Sequence, residues 1–138
     1  MQFTVRDWMI DLVVLVNPES TVSEALALMR RRYINSVIVE KSDANPEYGI
    51  LTSTDISDKI VAAGRNPSKV KVKEIMTTPI IHAQADWSLK ECAEKMKDKR
   101  IHHMPVMNEK GALVGMISAT DFLVVAEAMG REPGERIS

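Results

Sequence analysis

Two stretches of this sequence follow one pattern and decide the fold: Gly49-Ile50-Leu51-Thr52-Ser53-Thr54-Asp55-Ile56 and Gly115-Met116-Ile117-Ser118-Ala119-Thr120-Asp121-Phe122. Each reads Gly-x-x-[Ser/Thr]-x-x-Asp, and the two residues after the glycine are apolar, Ile50-Leu51 in one and Met116-Ile117 in the other. A hydroxyl residue with an acidic residue three positions later is typical of a helix N-terminus, because the two side chains can cap its free backbone N–H groups. The pattern therefore predicts a strand that passes into a helix, twice in one chain.

The surrounding sequence repeats as well, so the chain is a tandem duplication. Val5-Arg6-Asp7-Trp8-Met9 returns 67 positions later as Val72-Lys73-Glu74-Ile75-Met76, whereas the Gly…Asp pattern returns 66 positions later. The slip falls between Val39 and Gly49, in a stretch rich in turn residues, where insertions are tolerated. The predicted divisions are a first repeat, a second repeat and a flexible C-terminal tail, over residues 1–68, 69–130 and 131–138.

Each repeat has the same predicted order of elements, β-α-β-β-α. The predicted strands are Val13–Val16, Ser36–Val39, Tyr48–Leu51, Ile80–Ala83, Met104–Met107 and Leu113–Ile117. The first helix of each repeat follows a capping box, at Thr21-x-x-Glu24 and Ser88-x-x-Glu91. The second helix should begin near Asp55 or Asp121 and end at Gly64 or Gly130, where glycine suits a left-handed cap.

One repeat of this size cannot cover its apolar sheet face alone. We therefore expect an α/β (α+β) fold in which two β-α-β-β-α repeats pack through their sheets with pseudo-two-fold symmetry, leaving clefts between the copies. The 18 basic and 19 acidic residues nearly cancel, which argues against a non-specific nucleic-acid or anionic-membrane binder. Cys92 is the single cysteine and no run of about 20 apolar residues occurs, so we expect a cytoplasmic protein without a membrane span.

The repeated order of elements, His103-Met104-Pro105-Val106 and the two Gly-x-x-[Ser/Thr]-x-x-Asp patterns resemble the CBS-domain family. The resemblance covers residues from about Val5 to about Met129 and implies a stand-alone CBS pair, also called a Bateman module. Members of that family bind adenosine-containing ligands such as AMP, ADP, ATP or S-adenosylmethionine, and many form homodimers. The resemblance implies a regulatory role toward a protein partner that the sequence does not identify, with no cofactor required.

The same resemblance implies two binding clefts, each combining one copy's Asp motif with the strand starts of the other copy. One cleft would use Thr52, Asp55, Thr78, Pro79, Ile80 and His103, and the other Ser118, Asp121, Asp11, Leu12, Val13 and Ser36. We expect Thr52 and Asp55 to mark the better nucleotide site, because Asp11 would repel a phosphate where the first cleft has Thr78. The adjacent histidines point to opposite faces of a strand, so one of His102 and His103 should reach a given cleft.

Three functions stay open from the residues. The chain is a sensor of adenosyl ligands, a dimerisation or docking scaffold with empty clefts, or a small hydrolase. A capping role alone also accounts for Thr52, Asp55, Ser118 and Asp121. We expect no enzyme, because no catalytic motif is present and Cys92 falls on the apolar face of a helix. The spacing of the three histidines is not diagnostic, so no metal site is expected.

Overall fold

The structure is a computed structural model that describes residues 3–130. The chain forms two compact units. We call Val13–Ile81 the continuous unit, because it is one uninterrupted stretch. We call the other the split unit, because it joins the start of the chain, up to Leu12, to the stretch that begins at His82.

The continuous unit is a three-stranded sheet with helices. Its elements are β1 (Leu15–Val16), α2 (Val22–Arg32), β2 (Ser36–Val39), β3 (Gly49–Thr52), α3 (Ser53–Ile56), a π-helical turn (Ser57–Val61), a 3-10 turn (Pro67–Lys69) and α4 (Val72–Ile75). The strand order is β1-β2-β3, with β1 parallel and β3 antiparallel to β2. In this register Ser36 lies opposite Thr52, at the end of the sheet where α3 begins.

The split unit has the same architecture. Its elements are α1 (Val5–Trp8), β4 (Ala83–Gln84), α5 (Leu89–Lys99), β5 (His103–Met107), β6 (Leu113–Ser118) and α6 (Asp121–Gly130). The strand order is β4-β5-β6, with β4 parallel and β6 antiparallel to β5. The sequence prediction of an α+β fold is confirmed, since each unit has one three-stranded sheet covered by helices.

The compact units do not coincide with the sequence repeats, because the short helix that opens each repeat packs with the sheet of the other repeat. The N–H of Val5, in α1, donates to the carbonyl of Trp87 at 2.9 Å. The N–H of Val72, in α4, likewise donates to the carbonyl of Ser20 at 2.8 Å. The repeat boundaries at residues 68 and 69 therefore stay a prediction about the duplication and do not divide the folded units.

Each opening helix is followed by a methionine that packs on the glycine of the Gly…Asp pattern. A methyl group placed on Gly115 would lie 2.8 Å from Sδ of Met9, and one placed on Gly49 would lie 2.7 Å from Sδ of Met76. Only glycine permits this approach of chain to strand. The residue after each methionine forms a β-bridge to the same strand, Ile10 with Met116 and Thr77 with Ile50.

Each unit has its own apolar core between the sheet and its helices. In the continuous unit the fully buried residues include Val22, Val37 and Leu51. In the split unit they include Cys92 and Met104. Helices α2 and α5 each contribute an apolar face to the core of their unit, and each has basic residues in its last turn, where these complement the helix dipole.

Some predicted boundaries move. The edge strands are shorter than predicted, because pairing with the neighbouring strand is limited to Leu15–Val16 and Ala83–Gln84. Gly64 has the expected left-handed backbone, with φ 68°, whereas Gly130 is still part of α6. At α5 the Ser88 hydroxyl caps the N–H of Glu91, but the Glu91 carboxylate contacts that hydroxyl, so the capping box is half formed. The predicted tail, 131–138, lies outside the described residues.

Candidate functional site

In both Gly…Asp patterns the aspartate carboxylate bonds the hydroxyl residue three positions before it, at the start of a helix. In the continuous unit the N–H of Thr52 donates to Oδ2 of Asp55 at 3.0 Å, and the hydroxyl of Thr52 lies 3.3 Å from the same oxygen. In the split unit the N–H of Ser118 donates to Oδ2 of Asp121 at 2.8 Å, with its hydroxyl at 3.2 Å. Oδ2 of each carboxylate therefore has its partners within the motif. What the site can bind depends on whether the other oxygen, Oδ1, already has a partner.

In the continuous unit Oδ1 of Asp55 is already engaged. It accepts from Nζ of Lys59 at 2.9 Å and from the hydroxyl of Thr77 at 3.3 Å. The same Nζ donates to the carbonyl of Ile75 at 2.8 Å, so Lys59 ties the start of α3 to the end of α4. Asp55 is 7% exposed and is the only buried charged residue among residues 3–130. A buried carboxylate needs such partners.

In the split unit Asp121 lies in a different environment. It is half-buried, and no hydrogen bond to its Oδ1 is formed within residues 3–130. The position that corresponds to Lys59 in the repeat is Val125, which is 3% exposed in the core. The position that corresponds to Thr77 is Ile10. The split unit therefore offers a carboxylate oxygen that another molecule can use.

His103 lies beside this carboxylate. It is half-buried and stands opposite Ser118 in the β5–β6 ladder. Burial lowers the pKa of His103 below its usual 6.5 and nearby His102 lowers it further, whereas Asp121 acts to raise the pKa. The imidazole is consequently neutral at neutral pH and can either donate or accept a hydrogen bond.

His102 is the residue before β5 and lies outside the strand. It is exposed and lines a groove of about 390 Å³ between α5 and the start of α6. Ala119 and Phe122 form part of the groove, and Lys97 and Arg100 add positive charge to its wall. No motif in the sequence indicated this groove, which depends on the packing of α5 beside the start of α6.

The three residues predicted at the start of a strand, Thr78, Pro79 and Ile80, lie in the same unit as the Thr52 and Asp55 motif. The hydroxyl of Thr78 donates to the carbonyl of Tyr48 at 3.0 Å and accepts from the amide of Asn45 at 3.4 Å. Thr78 and Pro79 are exposed and joined by a cis peptide bond, and Ile80 is half-buried. The Thr78 hydroxyl thus already holds the 42–48 loop.

The structure divides the predicted site residues between the two units. The continuous unit holds Thr52, Asp55, Thr78, Pro79, Ile80, Val13 and Ser36, and the split unit holds His102, His103, Ser118, Asp121, Asp11 and Leu12. Within each sheet a predicted residue faces a motif residue, Ser36 opposite Thr52 and His103 opposite Ser118. The combination of residues across the two repeats stays a prediction.

Sequence reasoning missed the two residues that hold Asp55. Lys59 had a signal, because a lysine four residues after an aspartate on a helix can form an ion pair with it. Thr77 had none, since it reaches Asp55 through the packing of α4, which is distant in sequence.

The remaining chemistry of the described residues is sparse. Cys92 is fully buried, and burial raises the pKa of its thiol to about 11, so the nucleophilic thiolate is scarce at neutral pH. No group of three His, Cys, Asp or Glu side chains that could hold a metal ion occurs within residues 3–130.

The helices between residues 3 and 130 all lack the length and apolar character that a membrane crossing requires.

Two sheet units, each with a Gly…Asp motif, define a tandem pair of related α+β domains. The chain belongs to the CBS domain family, whose model matches residues 5–62 and again residues 72–127. The resemblance inferred from the sequence motifs is thereby confirmed.

Three comparisons show how far the similarity extends. An uncharacterized protein of Methanopyrus kandleri is 33% identical over 113 residues, which cover 82% of this chain and 57% of that protein, so this chain spans little more than half of that relative. The hexameric CBS-CP12 protein from bloom-forming cyanobacteria has a TM-score of 0.86 at 30% identity, over 99% of this chain and 78% of that one. The CBS domain pair of protein MJ0100, in complex with 5′-methylthioadenosine and S-adenosyl-L-methionine, has a TM-score of 0.79 at 24% identity, over 94% and 99%, which shows the shared fold.

Proposed function

We propose that this CBS pair is a regulatory sensor of adenosine-containing ligands, and that Asp121 is the residue that anchors the ribose. The observation that carries the proposal is the state of its carboxylate, with Oδ2 bonded to Ser118 and no bond to Oδ1 within residues 3–130. A ribose presents two adjacent hydroxyl donors, and a carboxylate oxygen held in place by a helix cap is a suitable acceptor for them. Hydrogen bonds to a charged group contribute about 1.5–3 kcal/mol each.

Neighbouring groups extend this anchor. The hydroxyl of Ser118 and the imidazole of His103 lie next to each other across the β5–β6 ladder, and both can bond a phosphate or sugar oxygen. The first N–H groups of α6, a helix of ten residues, favour negative charge. These features suit AMP, ADP or ATP. S-adenosylmethionine stays a second candidate, and the MJ0100 pair is solved with it and with 5′-methylthioadenosine.

We propose the Thr52 and Asp55 motif as a second, weaker site, together with Thr78, Pro79 and Ile80 as the sequence predicted. Val13 and Ser36, which the sequence prediction grouped with Asp121, lie in the same compact unit as Asp55, whereas His103, predicted with Asp55, lies in the other unit. The preference for the Asp55 motif over the Asp121 motif was a sequence prediction, and the contacts favour the reverse order. Asp55 already has three partners, Thr52, Lys59 and Thr77, so a ribose would have to displace some of them.

A thermal-shift panel with AMP, ADP, ATP and S-adenosylmethionine tests the proposal. A ligand at a hundred times its dissociation constant stabilises the folded state by about 2.7 kcal/mol, a rise in Tm of roughly 5–20 °C. Asp121→Asn is the informative variant, because the amide oxygen can keep the cap to Ser118 while the amide nitrogen replaces the acceptor. Asp55→Asn is its matched control.

We expect the ligand shift to vanish in Asp121→Asn and to persist in Asp55→Asn. Loss of the shift in Asp55→Asn with retention in Asp121→Asn would restore the sequence preference for Asp55. Absence of a shift with every ligand would overturn the sensor proposal.

The alternative, a dimerisation or docking scaffold, is supported by a different observation. The α6 helix exposes three apolar side chains, Leu123 at 72%, Val124 at 55% and Met129 at 70%. Exposed apolar clusters mark interaction surfaces more often than isolated apolar residues do. Sedimentation of the protein without ligand tests this function. A stable homodimer would support the scaffold, and a monomer at micromolar concentration would remove it.

A further inference from the structure

The Asp55 and Asp121 motifs differ in the partners of Oδ1 of the aspartate. This difference originates in the helical segment that follows each aspartate. After Asp121 the helix α6 is regular, and its fifth residue, Val125, enters the core. After Asp55 the chain turns into a π-helical turn, Ser57–Val61, in which the N–H of Ala62 donates to the carbonyl of Ser57.

The π-helical turn changes which side chain is buried. Ile60, and not Lys59, is the core residue of this segment, at 4% exposed. One extra residue per turn thus releases Lys59 from the core position that the repeat would give it. Its Nζ instead reaches Oδ1 of Asp55 at 2.9 Å and the carbonyl of Ile75 at 2.8 Å.

These two contacts differ from an ordinary surface ion pair. The side chain of Asp55 is 9% exposed, and the lysine bonds a carbonyl of another helix as well as the carboxylate. The pair Lys90–Glu94, on α5, shows the ordinary case, with a separation of 3.9 Å and both side chains exposed. Surface pairs of that kind contribute little. In the Lys59–Asp55 pair only the carboxylate is buried, since the Lys59 side chain is 43% exposed, and removing the lysine would take a partner from that buried carboxylate.

We propose that Lys59 is an internal lock on Asp55, which fills the acceptor oxygen that a ribose would need and leaves this chain with one functional ribose site, on Asp121. The inference rests on the proposed function, because it assumes that the motif aspartate anchors the ligand. In this proposal Lys59 determines how many ligand molecules each chain binds.

The experiment is calorimetric titration of the full chain with AMP, which reports stoichiometry and affinity together. The wild type should bind one AMP per chain, and Asp121→Asn should bind none. Lys59→Met keeps the length of the side chain without its charge, and it should raise the stoichiometry twofold. The double variant Asp121→Asn with Lys59→Met should regain one site, which a purely structural role for Lys59 does not produce.

Controls separate the lock from changes in folding. Lys59→Arg keeps the cation and should stay at one site, and Lys90→Met removes an exposed helical ion pair and should leave binding unchanged. Lys59→Gln is a second unlocked variant if Lys59→Met fails to fold, as judged by circular dichroism.

The outcomes distinguish the two proposals. Two sites in the wild type, or one site that is lost in Asp55→Asn, would overturn the lock. Failure of AMP to bind the wild type together with binding to Lys59→Met would support the lock and refute Asp121 as the anchor. Failure of AMP to bind the wild type and both unlocked variants would overturn the lock, since Lys59 would then not be what excludes the ligand.

Discussion

Replacing Gly115 by alanine should destabilise the protein strongly, because the new methyl group meets backbone. It would lie 2.6 Å from the carbonyl oxygen of Ile10 and 2.8 Å from Sδ of Met9. Real carbon and oxygen atoms do not approach so closely, so the segment around Ile10 must move away from β6. That segment is held by two hydrogen bonds of 2.8 Å between Ile10 and Met116.

The cost can be worked from these contacts. Overpacking contributes about 1–3 kcal/mol, and weakening two backbone hydrogen bonds adds about 1 kcal/mol each. We expect a loss of about 3–5 kcal/mol, or roughly 9–20 °C in Tm. Gly49→Ala is the matched control. Its methyl group meets the flexible Sδ of Met76 at 2.7 Å and the Thr77 carbonyl only at 3.3 Å, so about 1–2 kcal/mol is expected.

Urea denaturation followed by circular dichroism measures both variants. A double-mutant cycle sharpens the comparison. Met76→Ala should relieve much of the strain in Gly49→Ala, whereas Met9→Ala should leave most of the strain in Gly115→Ala, because the Ile10 carbonyl remains. Equal costs for the two glycines, or full relief by Met9→Ala, would refute the argument that backbone contact decides the larger effect.

Two further predictions concern groups outside the proposed site. Glu19 bonds the ammonium groups of Lys71 and Lys73, which holds the pKa of its carboxyl near 2 against an ordinary 4.5. The stabilisation by these two ion pairs is complete above about pH 4.5 and is lost as the pH falls toward 2. Glu19→Gln should therefore lower Tm by roughly 1–3 °C at neutral pH and leave it unchanged near pH 2. A difference in Tm that persists near pH 2 would contradict this assignment. The buried thiol of Cys92 should react with a disulfide reagent at pH 8 at least about tenfold more slowly in the folded protein than in guanidinium, and equal rates would show that the helix face is open.

The elements that the sequence predicted well are those whose cause is local. The strand Ser36–Val39 is found with the predicted bounds, because a run of consecutive β-branched residues, bounded by turn residues, specifies it. The contacts of Thr52 with Asp55 and of Ser118 with Asp121 are found for the same reason, since the two residues of each pair are three positions apart, although only the Thr52 hydroxyl caps a helix N–H. Local hydrogen-bond chemistry can be inferred from spacing alone.

The elements that the sequence did not predict depend on long-range packing. The short helix α1 was not predicted, and its hydrogen bond from Val5 to Trp87 joins residues that no local pattern connects. The lock on Asp55 needs the π-helical turn, whose backbone geometry lacks a recognisable sequence signature. A capping motif therefore identifies where a carboxylate will lie, but the occupation of its second oxygen depends on tertiary contacts.

Helix α1 packs with the sheet of the second repeat and α4 with the sheet of the first. From this arrangement we expect the two units to fold one after the other. The continuous unit, Val13–Ile81, can complete its core while the rest of the chain is still being synthesised, and it then needs only contacts of moderate sequence separation. The split unit must wait for its last strand, because Ile10 pairs with Met116 across more than a hundred residues. During that interval the N-terminal segment has no partner sheet, so closing this long loop becomes the late and slow step.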